Sequence, residues 1–290
     1  MAPRQDTIFQ RFLSPAFELL IDGEELKRLS QSIDWNQAIT KFGDSENFIY
    51  PEYYRRHNFH GIEGGYLTRD AAVTYDAVTQ YVLPPGETLV RQGLIDAIRC
   101  RPMTILDLGC GTGSTTIMLK KAFPRSWIIG LDLSPYMLAV AEHKAKQAGL
   151  DILWLQGKAE ATSFATEQFD LVTASLLFHE TPPTVTRAIL KECFRLLKPG
   201  GEVAILDGNQ KSLRQVPWLT EIFEEPYIKD YAGDSVDAGM GAAGFAAVRT
   251  EELWWLHQVT LGVKPLAARS GFSTTVDPIA SGDWMAAPGY

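Results

Sequence analysis

Two aspartates flank a glycine loop and limit what that loop can hold. Asp107 stands two residues before Gly109, and Gly109, Gly111 and Gly113 follow at alternate positions. A dinucleotide fingerprint has the spacing G-x-G-x-x-G and keeps the helix start free for anionic oxygens. A carboxylate at Asp107 repels such oxygens and suits a ligand carrying positive charge. Asp132 lies 19 residues after Gly113, where a carboxylate can accept hydrogen bonds from a ribose diol. Together they describe a ligand with a ribose at one end and an amine or sulfonium at the other.

S-Adenosylmethionine has these groups, and the motifs around the acids point the same way. Ile105-Leu106-Asp107-Leu108-Gly109-Cys110-Gly111-Thr112-Gly113, Gly130-Leu131-Asp132-Leu133-Ser134-Pro135-Tyr136-Met137 and Arg195-Leu196-Leu197-Lys198-Pro199-Gly200-Gly201 together resemble the class I S-adenosylmethionine-dependent methyltransferases. Within that family the chain is similar to the branch acting on quinones, tocopherols and other small apolar acceptors. The likeness covers roughly residues 100–265, and three motifs in order are far more specific than one glycine loop. It implies a Rossmann-like, doubly wound α/β sheet, mostly parallel with an antiparallel final hairpin, S-adenosyl-L-methionine as cofactor and a small-molecule acceptor.

The candidate cofactor residues are Asp107, Gly109, Cys110, Gly111, Gly113, Asp132, Leu133, Met137 and Ser175, with Lys158, Ala159 and Glu160 after the third strand. Cys110 reads as a small loop residue rather than a nucleophile, and Met137 suits either the adenine or the core. Relatives of this kind carry an Asp where this chain has Lys158. Lysine cannot accept a hydrogen bond from an adenine amino group, so backbone at Ala159 or another side chain would take that role. The segment His60 to Leu67 resembles the short His…Gly-Tyr stretch of tocopherol-type enzymes, which implies cofactor contact by Tyr66. The wider spacing between His60 and Gly65 leaves the role of His60 open.

His179 and Glu180 follow the fourth strand, where a transferred methyl group should point, and are the candidate catalytic pair. Glu180 would act as a carboxylate base and His179 as a base or an orienting group. Capping of the next helix is the ordinary alternative for either. The stretch lacks an Asn-Pro-Pro-Tyr type of motif, so a nitrogen acceptor is not expected. Two other functional readings are a nucleoside-binding subunit without turnover, which Lys158 keeps open, and a nicotinamide-dependent oxidoreductase, which Asp107 and the glycine spacing disfavour.

These side chains need a scaffold, and the sequence divides into three parts. Residues 1–86 read as an N-terminal cap: eleven of the first 66 residues are aromatic, against 31 of 290 overall. The aromatic content favours an apolar acceptor, quinone-like, aromatic or prenylated. Residues 87–265 read as the core, with a helix from Glu87 and then strand and helix in alternation to about residue 206. Strands are expected at 104–108, 127–132, 152–156, 169–175 and 203–206, and a helix over Pro135–Ala148. A further helix is expected within 213–231, and a closing hairpin with Gly244-Phe245 and the run Leu253 to Val263, where His257 either faces the acceptor or lies in the sheet. Residues 266–290 form a Gly-, Ser-, Ala- and Pro-rich tail containing Trp284.

A net charge of −8 and a pI near 5.2 argue against a large nucleic-acid surface. The cluster Tyr53-Tyr54-Arg55-Arg56-His57 reads as a solvated patch, with an anionic acceptor group as the alternative. His57 and His60 lack the partners of a metal site, and no metal is expected. Cys100, Cys110 and Cys193 cannot form a disulfide framework. No run approaches a membrane span and no signal sequence is apparent, so a cytoplasmic location is expected. The oligomeric state is open.

Overall fold

Strands buried on both faces are written as short unbroken apolar runs, and such runs form the middle of the sheet. The computed structural model describes residues 22–43, 48–59, 62, 64–83, 85–216, 218, 220 and 225–266. His60, residues 1–21 and the tail with Trp284 lie outside the described residues. The cap begins with α1 (Gly23–Ser32) and α2 (Trp35–Phe42), whose N-terminal amides are accepted by the side chains of Asp22 and Asp34. A short α3 (Glu52–Arg55) and a longer α4 (Arg69–Val82), capped by Thr68, follow. Then come α5 (Glu87–Ala97), β1 (Thr104–Leu108), α6 (Ser114–Ala122), β2 (Trp127–Asp132), α7 (Pro135–Gln147), β3 (Leu153–Gln156) and β4 (Phe169–Ser175). The chain continues through α8 (Pro183–Leu196), β5 (Leu197–Gly208), α9 (Gln210–Gln215), α10 (Ile228–Gly233), α11 (Val236–Ala243), β6 (Ala246–Leu253) and β7 (His257–Val263).

The seven strands lie in the order β3-β2-β1-β4-β5-β7-β6. The first five pair in parallel, whereas β7 runs antiparallel to both β5 and β6. This is the doubly wound sheet with an antiparallel final hairpin. Alternation along β1 sends Ile105 to one face and Leu106 and Leu108 to the other, and all three are fully buried. Burial of such a side chain stabilises by about 1.5–3 kcal/mol. The cap joins the first face: Trp35, Phe42, Phe59 and Tyr66 share a core cluster with Ile105 and Ile128.

Several boundaries differ from the sequence expectation, for local reasons. The hairpin starts at Ala246, so the run from Leu253 covers its tip and last strand only. Strand β6 is a sheet edge, mostly exposed, and its Arg249-Thr250-Glu251-Glu252 stretch carries no apolar pattern. Gly244 ends α11 in the left-handed region at φ 105°. The segment 213–231 contains the end of α9 and most of α10 rather than one helix, with 217, 219 and 221–224 outside the described residues. Gln210 ties these pieces together, donating to the carbonyls of Tyr231 and Asp234 and accepting from the Val236 amide. Strand β5 starts at Leu197 and shifts register against β4 before Glu202. The helix expected over Pro135–Ala148 ends at Gln147, and Ala148 is its exposed C-cap.

Candidate functional site

The loop after β1 is glycine-rich because other side chains crowd it. A Cβ on Gly109 would lie 2.8 Å from Leu177, and one on Gly113 would lie 2.5 Å from the Trp154 ring. Gly111 has no neighbour within 4 Å of such a Cβ, and its φ is +53°. Its backbone is therefore left open toward a ligand. The loop is held to the end of β2: the Gly111 amide donates to Asp132 Oδ2 at 2.8 Å, and the Ser134 amide donates to Oδ1 at 2.8 Å. Each carboxylate oxygen uses one lone pair in this way and keeps another for a vicinal diol. Burial pushes the Asp132 carboxyl up to about 6, against the lowering effect of the two amides.

A cleft of about 680 Å³, its mouth to solvent included, runs along the carboxyl ends of β1, β2, β3 and β4. One wall is aromatic and comes from the cap, with Tyr53, Tyr54, Tyr66 and Tyr75. The opposite wall is formed by Gly109, Gly111, Asp132, Leu133, Met137, Gly157 and Ala159. Ser175, Leu176, Leu177, Glu180, Thr181 and Ile189 close the far end. The tyrosine wall is fixed by ring packing: Tyr66 stacks on Phe59 at 5.5 Å, and Tyr75 meets Tyr66 edge-on at 5.8 Å.

The remaining candidate residues lie around this cleft rather than on it. Asp107 and Cys110 line a smaller cavity behind the loop, together with Tyr75, Arg91, Thr112, Thr115 and Ser175. Asp107 accepts from Thr116 and Thr173 at 2.5 and 2.8 Å, and burial raises its carboxyl to about 6. Cys110 is buried with its thiol pushed well up, which keeps it protonated. Gly113 is the N-cap of α6. The Lys158 ammonium turns toward Phe48, 5.9 Å from the ring centre, and Glu160 accepts from the Tyr53 hydroxyl at 3.2 Å. The loop after β3 thus offers Gly157 and Ala159 to the cleft.

At the end near β4 the polar groups form a chain. The Tyr66 hydroxyl donates to Glu180 Oε1 at 2.7 Å, and His179 Nε2 lies 4.0 Å from the same oxygen. His179 Nδ1 is 2.6 Å from Asp207 Oδ1. Asp207 also accepts from the Phe178 and Gly208 amides. Burial alone would lower the imidazole, but the Asp207 charge and hydrogen bond outweigh it and hold His179 at about 9. His179 is therefore a fixed cation at neutral pH. Burial and then Glu180 push the Tyr66 phenol well above its ordinary range, so it remains a donor.

Asp207, Arg91 and Tyr75 carried no role in the sequence analysis, and Tyr53 and Tyr54 entered only as part of the cluster 53–57. Asp207 sits near the carboxyl end of a buried strand, a signal that was available. Arg91 is buried and paired with Glu87 at 2.8 Å, a spacing of four visible in the sequence. Tyr53 and Tyr54 were hidden in a basic cluster whose Arg55 and Arg56 are exposed, the latter paired with Glu52. His257 lies in the sheet opposite Gly208, and burial lowers it to about 4. Among the described residues no group of His, Cys, Asp and Glu has a metal-binding arrangement, and no helix is long and apolar enough to cross a membrane.

The methyltransferase domain family matches residues 105–201. A demethylmenaquinone methyltransferase of Lactococcus lactis is 32% identical over 218 residues, covering 67% of this chain and 82% of the relative. The enzyme of the same name from Bacillus subtilis is 34% identical over 164 residues, covering 47% and 70%. Among solved structures, the PH0226 protein of Pyrococcus horikoshii shares the fold with a TM-score of 0.52 at 19% identity, covering 74% of this chain and all of that one. Haemonchus contortus phosphoethanolamine N-methyltransferase 2, solved with S-adenosylhomocysteine, gives 0.52 at 18% identity, covering 68% and 58%. With the strand order, the acid-flanked glycine loop and these relatives together, the chain belongs to the class I S-adenosylmethionine-dependent methyltransferases.

Proposed function

We propose that the protein methylates a ring carbon of a reduced, quinone-like acceptor bearing an apolar chain, with Glu180 as the base. The acceptor class rests on the demethylmenaquinone methyltransferases among its relatives and on the tyrosine wall of the cleft. The single observation that carries the chemistry is Glu180, a carboxylate lining that cleft and hydrogen bonded to a cap tyrosine. Asp132 would hold the ribose diol, with Leu133, Met137 and Ala159 beside the adenine and Gly109, Gly111 and Ser175 along the methionine. Asp107 would act through the threonines and Arg91 that surround it. Bound S-adenosylmethionine supplies an electrophilic methyl group.

A quinol hydroxyl becomes strongly electron-donating once its proton is lost. Glu180 takes that proton, and charge builds on the ring carbons next to the oxygen, where the methyl group is received as its bond to sulfur breaks and a neutral thioether is left. The oxygen then takes its proton back from Glu180, the carboxylate so regenerated accepts the ring hydrogen of the methylated carbon as a proton, and aromaticity returns. The His179 imidazolium, held by Asp207, orients Glu180, and Tyr66 fixes the carboxylate from the cap side. In this reading residues 1–86 are a cap that excludes water, and positioning supplies about 7–11 kcal/mol. A cytoplasmic location is the companion inference, supported by three free thiols.

The test is methyl transfer from labelled S-adenosylmethionine to a chemically reduced prenyl naphthoquinol, with the product located by mass spectrometry. Labelled carbon-methylated product is expected, and Glu180→Gln should lower turnover by about 10²–10⁴-fold. Methylation of oxygen, or full activity in the variant, would overturn the reading.

A further inference from the structure

The tip of the β6–β7 hairpin consists of Trp254, Trp255 and Leu256, and both tryptophans lie in the left-handed region at φ 52° and 62°. Bulky residues avoid that region, and hairpin tips that need it usually carry Asn-Gly. The tip instead exposes two indoles, each 53% accessible, and Trp218 beyond α9 is 56% accessible. It is firmly held. The Ser212 hydroxyl donates to the Trp255 carbonyl at 2.7 Å, the Asn209 amide donates to the Leu256 carbonyl at 2.8 Å, and Leu253 packs against Gly93. An exposed aromatic pair on a rigid mount, in a conformation that other residues adopt more easily, has the form of a contact surface rather than of a fold requirement.

Its position gives the contact a direction. His257 pairs with Gly208, so the tip rises from the same edge of the sheet as the cleft. Two strand spacings separate β6 from β5, about 10 Å, and β5 carries Asp207. Charge decides between surfaces. Glu252 is paired with Lys211 and Glu251 with Arg249, each at 3.1 Å, so the acids near the tip are locally neutralised. The whole chain carries −8, which does not draw it to an anionic surface. Tryptophan favours the boundary where an apolar interior meets polar headgroups.

We propose that Trp254 and Trp255 dock the protein on the surface of a zwitterionic lipid bilayer, with the cleft edge facing the membrane. The choice of a bilayer rests on the apolar-chain acceptor proposed above, since such a molecule partitions into lipid. The docking itself can be measured without any acceptor.

Flotation of the full chain with phosphatidylcholine vesicles should carry wild type with the lipid, with no loss in about 1 M salt, where charge attraction is screened. Trp254→Asn combined with Trp255→Gly relieves the turn, so its melting temperature should stay or rise. The pair should weaken vesicle binding at least about tenfold and leave turnover of a short-chain, water-soluble quinol unchanged. Wild type that does not float, equal flotation of the variant, or binding confined to anionic vesicles and lost in salt would overturn the proposal. So would a wild-type dimer that the substitutions convert to monomer, which would make the tip a protein interface. Flotation without quinol turnover would sink the acceptor reading and leave membrane docking standing.

Discussion

At the scale of single residues, protonation separates the roles of the buried acids and histidines. Asp132 has a carboxyl raised by burial to about 6, and only its ionised form can accept from both hydroxyls of a diol. S-Adenosylhomocysteine affinity should therefore be level above neutral pH and fall as pH drops through about 6, with proton uptake on the unbound protein; calorimetry across that range checks it. His179 gives the opposite window. Its folded value of about 9 lies above the ordinary 6.5, so its stabilising effect is complete below about 6.5 and is lost as pH rises through 9. The full effect is of order 3 kcal/mol. Urea midpoints should fall between those limits in wild type, and Asp207→Asn should lower stability at neutral pH and flatten the fall. Asp132 was legible because its distance from a glycine loop is diagnostic. The partnership of His179 and Asp207 was not, because pairing across 28 positions depends on β4 and β5 lying side by side.

At the scale of elements, the loop after β1 owes its shape to β3. Trp154 lies against both Gly113 and Gly130, where an added Cβ would come within 2.5 Å of its ring. Gly113→Ala should cost about 1–3 kcal/mol from overpacking and a strained φ. Gly111→Ala has space for its methyl group and should cost less in stability while weakening S-adenosylhomocysteine binding more. Thermal unfolding and calorimetry on the two variants separate packing from ligand approach. The parallel strands were readable because burial on both faces writes an unbroken apolar run. Strand β6, open to water at the sheet edge, writes nothing comparable, and α9 and α10 are too short for a helical period to show.

At the scale of the whole molecule, the cleft is shared between two parts of the sequence: cap tyrosines on one side and strand ends on the other. The Ser134 hydroxyl donates to the Tyr66 carbonyl at 2.6 Å, and Lys41 pairs with Glu142 at 2.5 Å. Ligand binding should therefore stabilise cap and core together, by about 2.7 kcal/mol at a ligand concentration one hundred times Kd. Hydrogen exchange should slow in residues 64–75 as well as in the glycine loop. The aromatic excess near the N-terminus was visible in the sequence, yet which rings would face the cleft depended on the packing of Phe59, Tyr66 and Tyr75, which no sequence spacing encodes. The most direct test of the site is calorimetric titration of S-adenosylhomocysteine into wild type and Asp132→Ala, with NAD as the comparison ligand. Binding to wild type, weakened at least about tenfold in the variant, with no heat from NAD, is the predicted result. Equal affinity in the two proteins, or no binding to wild type, would contradict it.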